Sequence, residues 1–277
     1  MKTVLELQSE DCPRVRNAPM VLVTTKLLPI TDLHGEALLV AFRQCVLRTF
    51  LTYLAARLSH QALYFLDHHE LWNAGMHDWD ISCENLMYYE QDGKIIGVLN
   101  DFDLAPLPSE DGTRCPRGNK RPGTLPFMAI DLLIPEGQAG QTAHLYRHDL
   151  ESFIWVLTWI SLQFSNGVRL KNGVLNKWMK MNTIEAWNVK GGFLRSFRRH
   201  TPPAGNEGIW VVAQYCLHVL ARRIRQLDQL VDDLGFARRK HSDEATKLGQ
   251  KLTEYDAAPP ATVLREFADA LGLRVEQ

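Results

Sequence analysis

The chain has 277 residues, with 31 Lys+Arg against 32 Asp+Glu for a formal net charge of -1, and 45% hydrophobic against 23% charged residues. That length holds one large domain or two small ones, and the composition excludes a disordered, collagen-like or low-complexity chain. The near-zero charge excludes a global field toward nucleic acid or an anionic membrane, and five cysteines (Cys12, Cys45, Cys83, Cys115 and Cys216) without a C-x-x-C pair exclude a disulfide framework or zinc knuckle.

The first residues, MKTVLELQSEDCPR, carry charge where a signal peptide needs an apolar centre. Residues 1–19 read as an irregular N-terminal segment. Met20–Thr25 is rich in β-branched residues and reads as a strand that Pro29 ends. From His34 to about Leu58 the period becomes helical: Phe42, Val46, Phe50, Leu54 and Leu58 recur every four residues on one face. A second helix is expected from about His60 to Trp72, stopped by Asn73-Ala74-Gly75.

The period then shortens. Leu86–Tyr89 and Lys94–Leu99 read as two strands around the turn Gln91-Asp92-Gly93. Residues 106–123 hold four Pro and three Gly and read as an irregular loop. Beyond it the chain is mainly helical. Leu150–Phe164 is apolar nearly all round, the mark of a helix buried on every side. Its most apolar part is about half the length that spans a bilayer. Helices are expected at Gly208–Arg225, Ala237–Tyr255 and Thr262–Leu271, with Asp256–Pro260 breaking the last two apart. The chain reads as a soluble protein of a reducing compartment, cytoplasmic or nuclear rather than secreted.

One constellation carries chemistry. Asp80-Ile-Ser-Cys-Glu-Asn85 lies between a helix end and a strand, and Asp101-Phe102-Asp103 follows sixteen residues after Asn85, beyond the hairpin. Phosphoryl transfer needs a carboxylate to orient the attacking hydroxyl and oxygen ligands for Mg²⁺. The D-x-x-x-x-N spacing is weak alone. Its weight comes from the order helix, loop, hairpin, D-F-x, then a Gly/Pro-rich loop.

These stretches, with Trp72–Gly75, Gly97–Ala105, Gly123–Leu133 and Tyr146–Phe153, resemble the large lobe of a protein kinase, and most closely the fungal-type protein kinase family. The resemblance covers about residues 20–160. It implies an α+β, mainly α fold: a protein kinase-like C-terminal lobe with a small β-hairpin and at most a remnant of the N-terminal lobe, over residues 20–277. It implies ATP and Mg²⁺ as cofactors and a protein Ser/Thr hydroxyl as acceptor. By position, Asp80 matches the catalytic-loop aspartate, Asn85 the metal-binding asparagine and Asp101 the metal-binding aspartate. Residues 104–133, from Leu104 through Thr124, match the activation segment. Asp131 stands where kinases usually close that segment with glutamate. Asp149 matches the buried aspartate that anchors the catalytic loop.

Several residues depart from that pattern. The His-Arg pair usual before the catalytic aspartate is Asp78-Trp79, and a neutral Trp cannot meet an activation-loop phosphate. The third residue of the D-F-G triplet is Asp103, adding a carboxylate and restricting the backbone. No G-x-G-x-x-G occurs, and the 33 residues before His34 fall short of the roughly 39 that five strands and a helix need. The small lobe is therefore expected to be missing and activity impaired. A non-catalytic pseudokinase or scaffold is the alternative reading. A small-molecule kinase of the aminoglycoside or choline type is a third, which the long segment and Gly123-Thr124 disfavour. An unpaired edge at Met20–Thr25, with apolar surface near Leu86, Val98 and Phe102, would favour self-association or a strand-donating partner.

Other clusters read more plainly. His68, His69, His77, Asp78 and Asp80 lack metal-ligand spacing. Arg195, Arg198, Arg199 and His200, and Arg222, Arg223 and Arg225, read as solvated faces or internal salt bridges, with anion binding the alternative. Ser109, Thr113 and Thr124 are hydroxyls open to phosphorylation, with an unpaired loop hydroxyl the plainer reading.

Overall fold

The computed structural model describes residues 26–47, 80–100, 123–241 and 243–273. The strand expected at Met20–Thr25, the second half of the first helix, the helix at His60–Trp72, and Asp101, Phe102, Asp103 and Leu104 lie outside these residues.

Leu28–Pro29 (β1) leads through a short 3-10 turn into a helix at Gly35–Leu47 (α1). The expected hairpin follows as Leu86–Gln91 (β2) and Lys94–Leu99 (β3), antiparallel with Gln91 opposite Lys94. Its two-residue loop puts Asp92 at φ 51° and Gly93 at φ 72°, the twist that suits a tight hairpin. β1 adds to the free edge of β2, giving the order β1-β2-β3. Phe42 and Val46 of the predicted stripe are fully buried. β3 runs so close to α1 that a Cβ on Gly97 would lie 2.0 Å from the Ala41 carbonyl oxygen. The Gly97 N–H donates to Gln44 Oε1 at 2.6 Å. Leu86 and Val98, expected to face open surface, are 0% and 2% exposed. Their hairpin is closed down by α1, a contact the sequence pattern does not reveal.

Two short helices, Ile130–Leu133 (α2) and Pro135–Gln138 (α3), precede the long helix Tyr146–Gln163 (α4). Every α4 residue except Arg147 is buried, as the all-round apolar pattern predicts. Its hydroxyls cope with burial by turning back on the helix: Ser152, Thr158 and Ser161 each donate to the carbonyl four residues earlier. Aromatic rings then join α4 to its neighbours. Phe153 meets Phe42 edge-on at 6.1 Å, and Trp159 meets Phe127 at 5.7 Å.

A small ribbon, Phe164–Ser165 (β4) with Val168–Arg169 (β5), leads to Thr183–Ser196 (α5), where Asn182 and Glu185 form a reciprocal N-terminal cap. The last three helices are Glu207–Arg239 (α6), Glu244–Asp256 (α7) and Pro260–Leu271 (α8). α6 is much longer than the expected Gly208–Arg225. Its polar second half, which suggests a break, stays helical because Leu234 and Ala237 are buried beneath the returning helices. α6 consequently ends at Arg239 and α7 begins at Glu244, rather than the break falling before Ala237. Pro259 and Pro260 end one helix and start the next, as expected. Among the described residues no helix is long and apolar enough to cross a membrane.

Candidate active site

The loop from Asp80 to Asn85 sits under β2, with Ile81, Ser82 and Cys83 buried and a turn closed by the Asn85 N–H on the Ser82 carbonyl at 3.2 Å. The Asn85 side chain donates its Nδ2 to the Asp80 carbonyl at 2.9 Å. That fixes which end of the amide is engaged and leaves Oδ1 as the end suited to a hard cation. From the other side of the hairpin, the Asn100 N–H donates to the Asn85 carbonyl at 2.8 Å. Asn100 is thus held directly beside the loop. Asp101 itself lies outside the described residues, so Asp80 and Asn85 are the members of the expected trio whose placement can be given.

Asp80 is also held from the far end of the loop-rich segment. Its Oδ1 accepts both the Thr124 N–H at 2.7 Å and the Thr124 hydroxyl at 2.8 Å. Thr124 is therefore not the unpaired hydroxyl of the plainer reading. Gly123 enters this contact at φ 133°, a backbone that side-chain-bearing residues rarely adopt.

The residues after Thr124 are secured by two groups that the motif search does not contain. Ile130 donates its N–H to Glu151 Oε1 at 2.8 Å, and the same oxygen accepts Trp155 Nε1 at 2.9 Å. Two residues upstream of Ile130, the Met128 carbonyl accepts Lys190 Nζ. The Lys190 ammonium also stands 4.7 Å from the centre of the Trp155 ring. Both charges are buried. Burial pushes the Glu151 carboxyl up and the Lys190 ammonium down from their ordinary values, and their mutual attraction offsets this only in part.

Asp131, at the segment's end, bonds Arg147, and His148 Nε2 lies 3.7 Å from the same oxygen. Burial works against the Asp131 charge, but His148 and Arg147 hold it well below the usual carboxylate range. Arg147 continues to Asp256 at 3.1 Å, and its guanidinium lies over the Tyr255 ring. Arg223, which is paired with Glu266 at 2.5 Å, also lies against that ring, 4.9 Å from its centre. His148 Nδ1 accepts the Leu145 N–H at 3.1 Å at the start of α4, and burial drives its pKa down to about 3. Asp149 is 1% exposed and meets His144 Nε2 at 2.5 Å. Asp149 is expected to anchor the catalytic loop, whose part before Asp80 lies outside the described residues.

Residues 65–161 match the family model described as fungal protein kinase. The match runs through the Asp80 loop, the hairpin, Thr124 and almost all of α4, so the resemblance read from the motifs holds over that stretch. A search of the curated proteins finds no match to the chain.

Glu151 carries a signal that the sequence does show: a carboxylate inside an all-round apolar helix must find a partner. Lys190 carries none, because it lies in an ordinary amphipathic helix far along the chain.

Proposed function

We propose that this chain carries a protein kinase-like domain that transfers the γ-phosphoryl group of ATP to a protein Ser/Thr hydroxyl. The observation that supports this most is the pairing of Asp80 with Thr124. One carboxylate oxygen is locked by two donors from the stretch that matches the activation segment, so that segment and the carboxylate are held in register. In this reading Asp80 orients the acceptor hydroxyl and takes its proton while the acceptor oxygen bonds to phosphorus and the bond to the departing diphosphate breaks. Asn85 and Asp101 would hold Mg²⁺; the orientation of the Asn85 amide suits that role. ATP supplies the transferred group, and the metal neutralises charge on its phosphates. Glu151 and Lys190 keep residues 128–130 in place, four to six residues after Thr124.

The test is transfer of labelled phosphate from Mg-ATP to a mixed protein substrate by the full chain and by Asp80→Asn. The expected result is a rate lower by about 10²–10⁴-fold in the variant, the usual scale of general-base assistance. Equal rates in both proteins would remove Asp80 from the mechanism. No transfer by either, with the fold intact, would leave the pseudokinase or scaffold reading.

A further inference from the structure

The basic run around Arg222 divides in the fold. Arg223 turns inward to Glu266 and Tyr255, whereas Arg222 and Arg225 are exposed. They lie on one stripe of α6 with Val211, Tyr215 and His218, spaced four, three, four and three residues apart. The second basic run meets this stripe: Arg198, just past the end of α5, donates Nη2 to His218 Nδ1 at 2.9 Å. Arg195 and Arg199 flank it and are exposed. Arg198, Arg222, Arg225 and the His218 imidazole therefore share one face, with Arg195 and Arg199 exposed beside Arg198 in the chain. Among the described residues, none of them has a carboxylate within 4 Å.

That arrangement works against the fold. Like charges three and four residues apart destabilise a helix, and the chain has 32 acidic residues from which partners might have come. Cations kept together without partners mark a surface whose counter-charge arrives from outside. Its limits indicate what arrives. Along the helix, carboxylates close both ends, Glu207 four residues before Val211, and Asp228 and Asp232 three and seven after Arg225. Between Val211 and Arg225 the patch is about 21 Å long at 1.5 Å per residue, room for about six extended residues. A duplex or a membrane plane would carry its negative charge past those acidic ends. Tyr215 and Val211, 62% and 47% exposed, add an apolar foothold at one end.

We propose that this face of α6 and the end of α5 docks a short acidic polypeptide segment of a protein partner, with an apolar residue of that segment against Tyr215 and Val211. The guanidiniums bind its carboxylates and the tyrosine ring covers its apolar side chain. This site is separate from Asp80 and is tested without nucleotide, so its failure says nothing about phosphoryl transfer.

The probe is a fluorescein-labelled peptide of four glutamates, one leucine and three glutamates, titrated with the full chain at low salt and followed by anisotropy. Binding is expected to weaken about tenfold in Arg198→Gln/Arg222→Gln/Arg225→Gln, and to stay unchanged in Arg238→Gln/Arg239→Gln at the far end of α6. Arg222→Gln and Arg225→Gln are also measured singly, with an expected loss of about twofold each, should the triple variant fold poorly. Absence of peptide binding, or equal binding by the triple and single variants, overturns the proposal. So does tighter binding of a single-stranded oligonucleotide or of phosphatidylserine vesicles that is lost in the same variants, which would give the face to a nucleic acid or a membrane.

Discussion

Two sets of charges hold the segment after Thr124, and they operate in different surroundings. At Met128 and Ile130 the holders are Glu151 and Lys190, both sealed from water. Three residues after Met128, at Asp131, they are Arg147 and the buried His148, with the partly exposed Asp256 and Tyr255 beyond, toward the protein's rim. In the sealed pair burial dominates, pulling both groups toward their uncharged forms. At the rim hydrogen bonding and attraction dominate, and Asp131 stays charged well below the usual range. The same backbone is thus fixed once by a buried donor and a buried acceptor in a dry interior, and once by a carboxylate–guanidinium group whose carboxylates water can reach. The first should be strong, specific and insensitive to salt; the second weaker and screened.

The largest effect should come from breaking the sealed pair on one side. Lys190→Met leaves the Met128 carbonyl without its donor and Glu151 without the buried positive charge that attracts it, an expected loss of about 3–5 kcal/mol in urea unfolding. Adding Glu151→Gln should recover part of this. An amide still accepts the Ile130 N–H and brings no charge to be buried. A loss below about 1 kcal/mol for Lys190→Met would mean that the interior charges do not carry the segment, and the contrast between the two sites would collapse.

The next effect is a pH dependence set by His148. In the unfolded chain this imidazole binds a proton below about 6.5, but in the fold only below about 3. Between those values the unfolded state holds the additional proton, so stability is complete above pH 6.5 and falls as the pH drops toward 3, by up to a few kcal/mol. The physical cause is burial at the start of α4, where a protonated Nδ1 could no longer accept the Leu145 N–H. His148→Gln can accept the same N–H without titrating. Unfolding measured from pH 7 to pH 4 should show a shallower decline in the variant, and parallel curves would exclude His148 as the acid-sensitive group.

At the rim, Asp131→Asn removes the charge that pairs Arg147. The site keeps 24% of the Asp131 side chain in contact with solvent, so the expected loss is about 1–2 kcal/mol rather than the interior value. In 1 M salt that loss should shrink, while the loss from Lys190→Met should not. Equal salt responses would place both sites in the same dielectric regime.

Much of this arrangement was legible in the sequence, and the remainder was not for a physical reason. The hairpin, the buried α4 and the final helix follow from period and turn chemistry, which act over a few residues. The Asp80 and Asn85 loop was legible because its spacing recurs with the elements around it. The Thr124 contact to Asp80 spans 44 positions, and the Lys190 contact to Met128 spans 62. Neither leaves a local pattern. The length of α6 has the same cause: residues 226–236 read as a gap between two helices, and the burial of Leu234 and Ala237 in a helix that packs against both α7 and α8 becomes visible only in the fold. Even the division of Arg222, Arg223 and Arg225 into outward and inward members is settled by Glu266 and Tyr255, which arrive from helices later in the chain.

The smallest expected effect lies farthest from the segment. Arg147 reaches Asp256 at 3.1 Å, but the Asp256 side chain is 43% exposed. Water can replace most of what the aspartate supplies, and the Asp131 bond keeps Arg147 in place without it. Asp256→Asn should therefore cost about 0.2–1 kcal/mol, the range of exposed ion pairs, and nothing measurable at high salt. Because Asp131 and Asp256 share one guanidinium, their losses should not add. With Asp131 intact, Arg147 has a primary partner and Asp256 is secondary; in Asp131→Asn, Asp256 becomes the remaining carboxylate on Arg147, and its removal should cost more than in the parent protein. A double-mutant cycle in urea measures this coupling. Strict additivity would mean that Arg147 does not link the segment's end to the turn between α7 and α8, and that the rim consists of two independent pairs rather than one connected group.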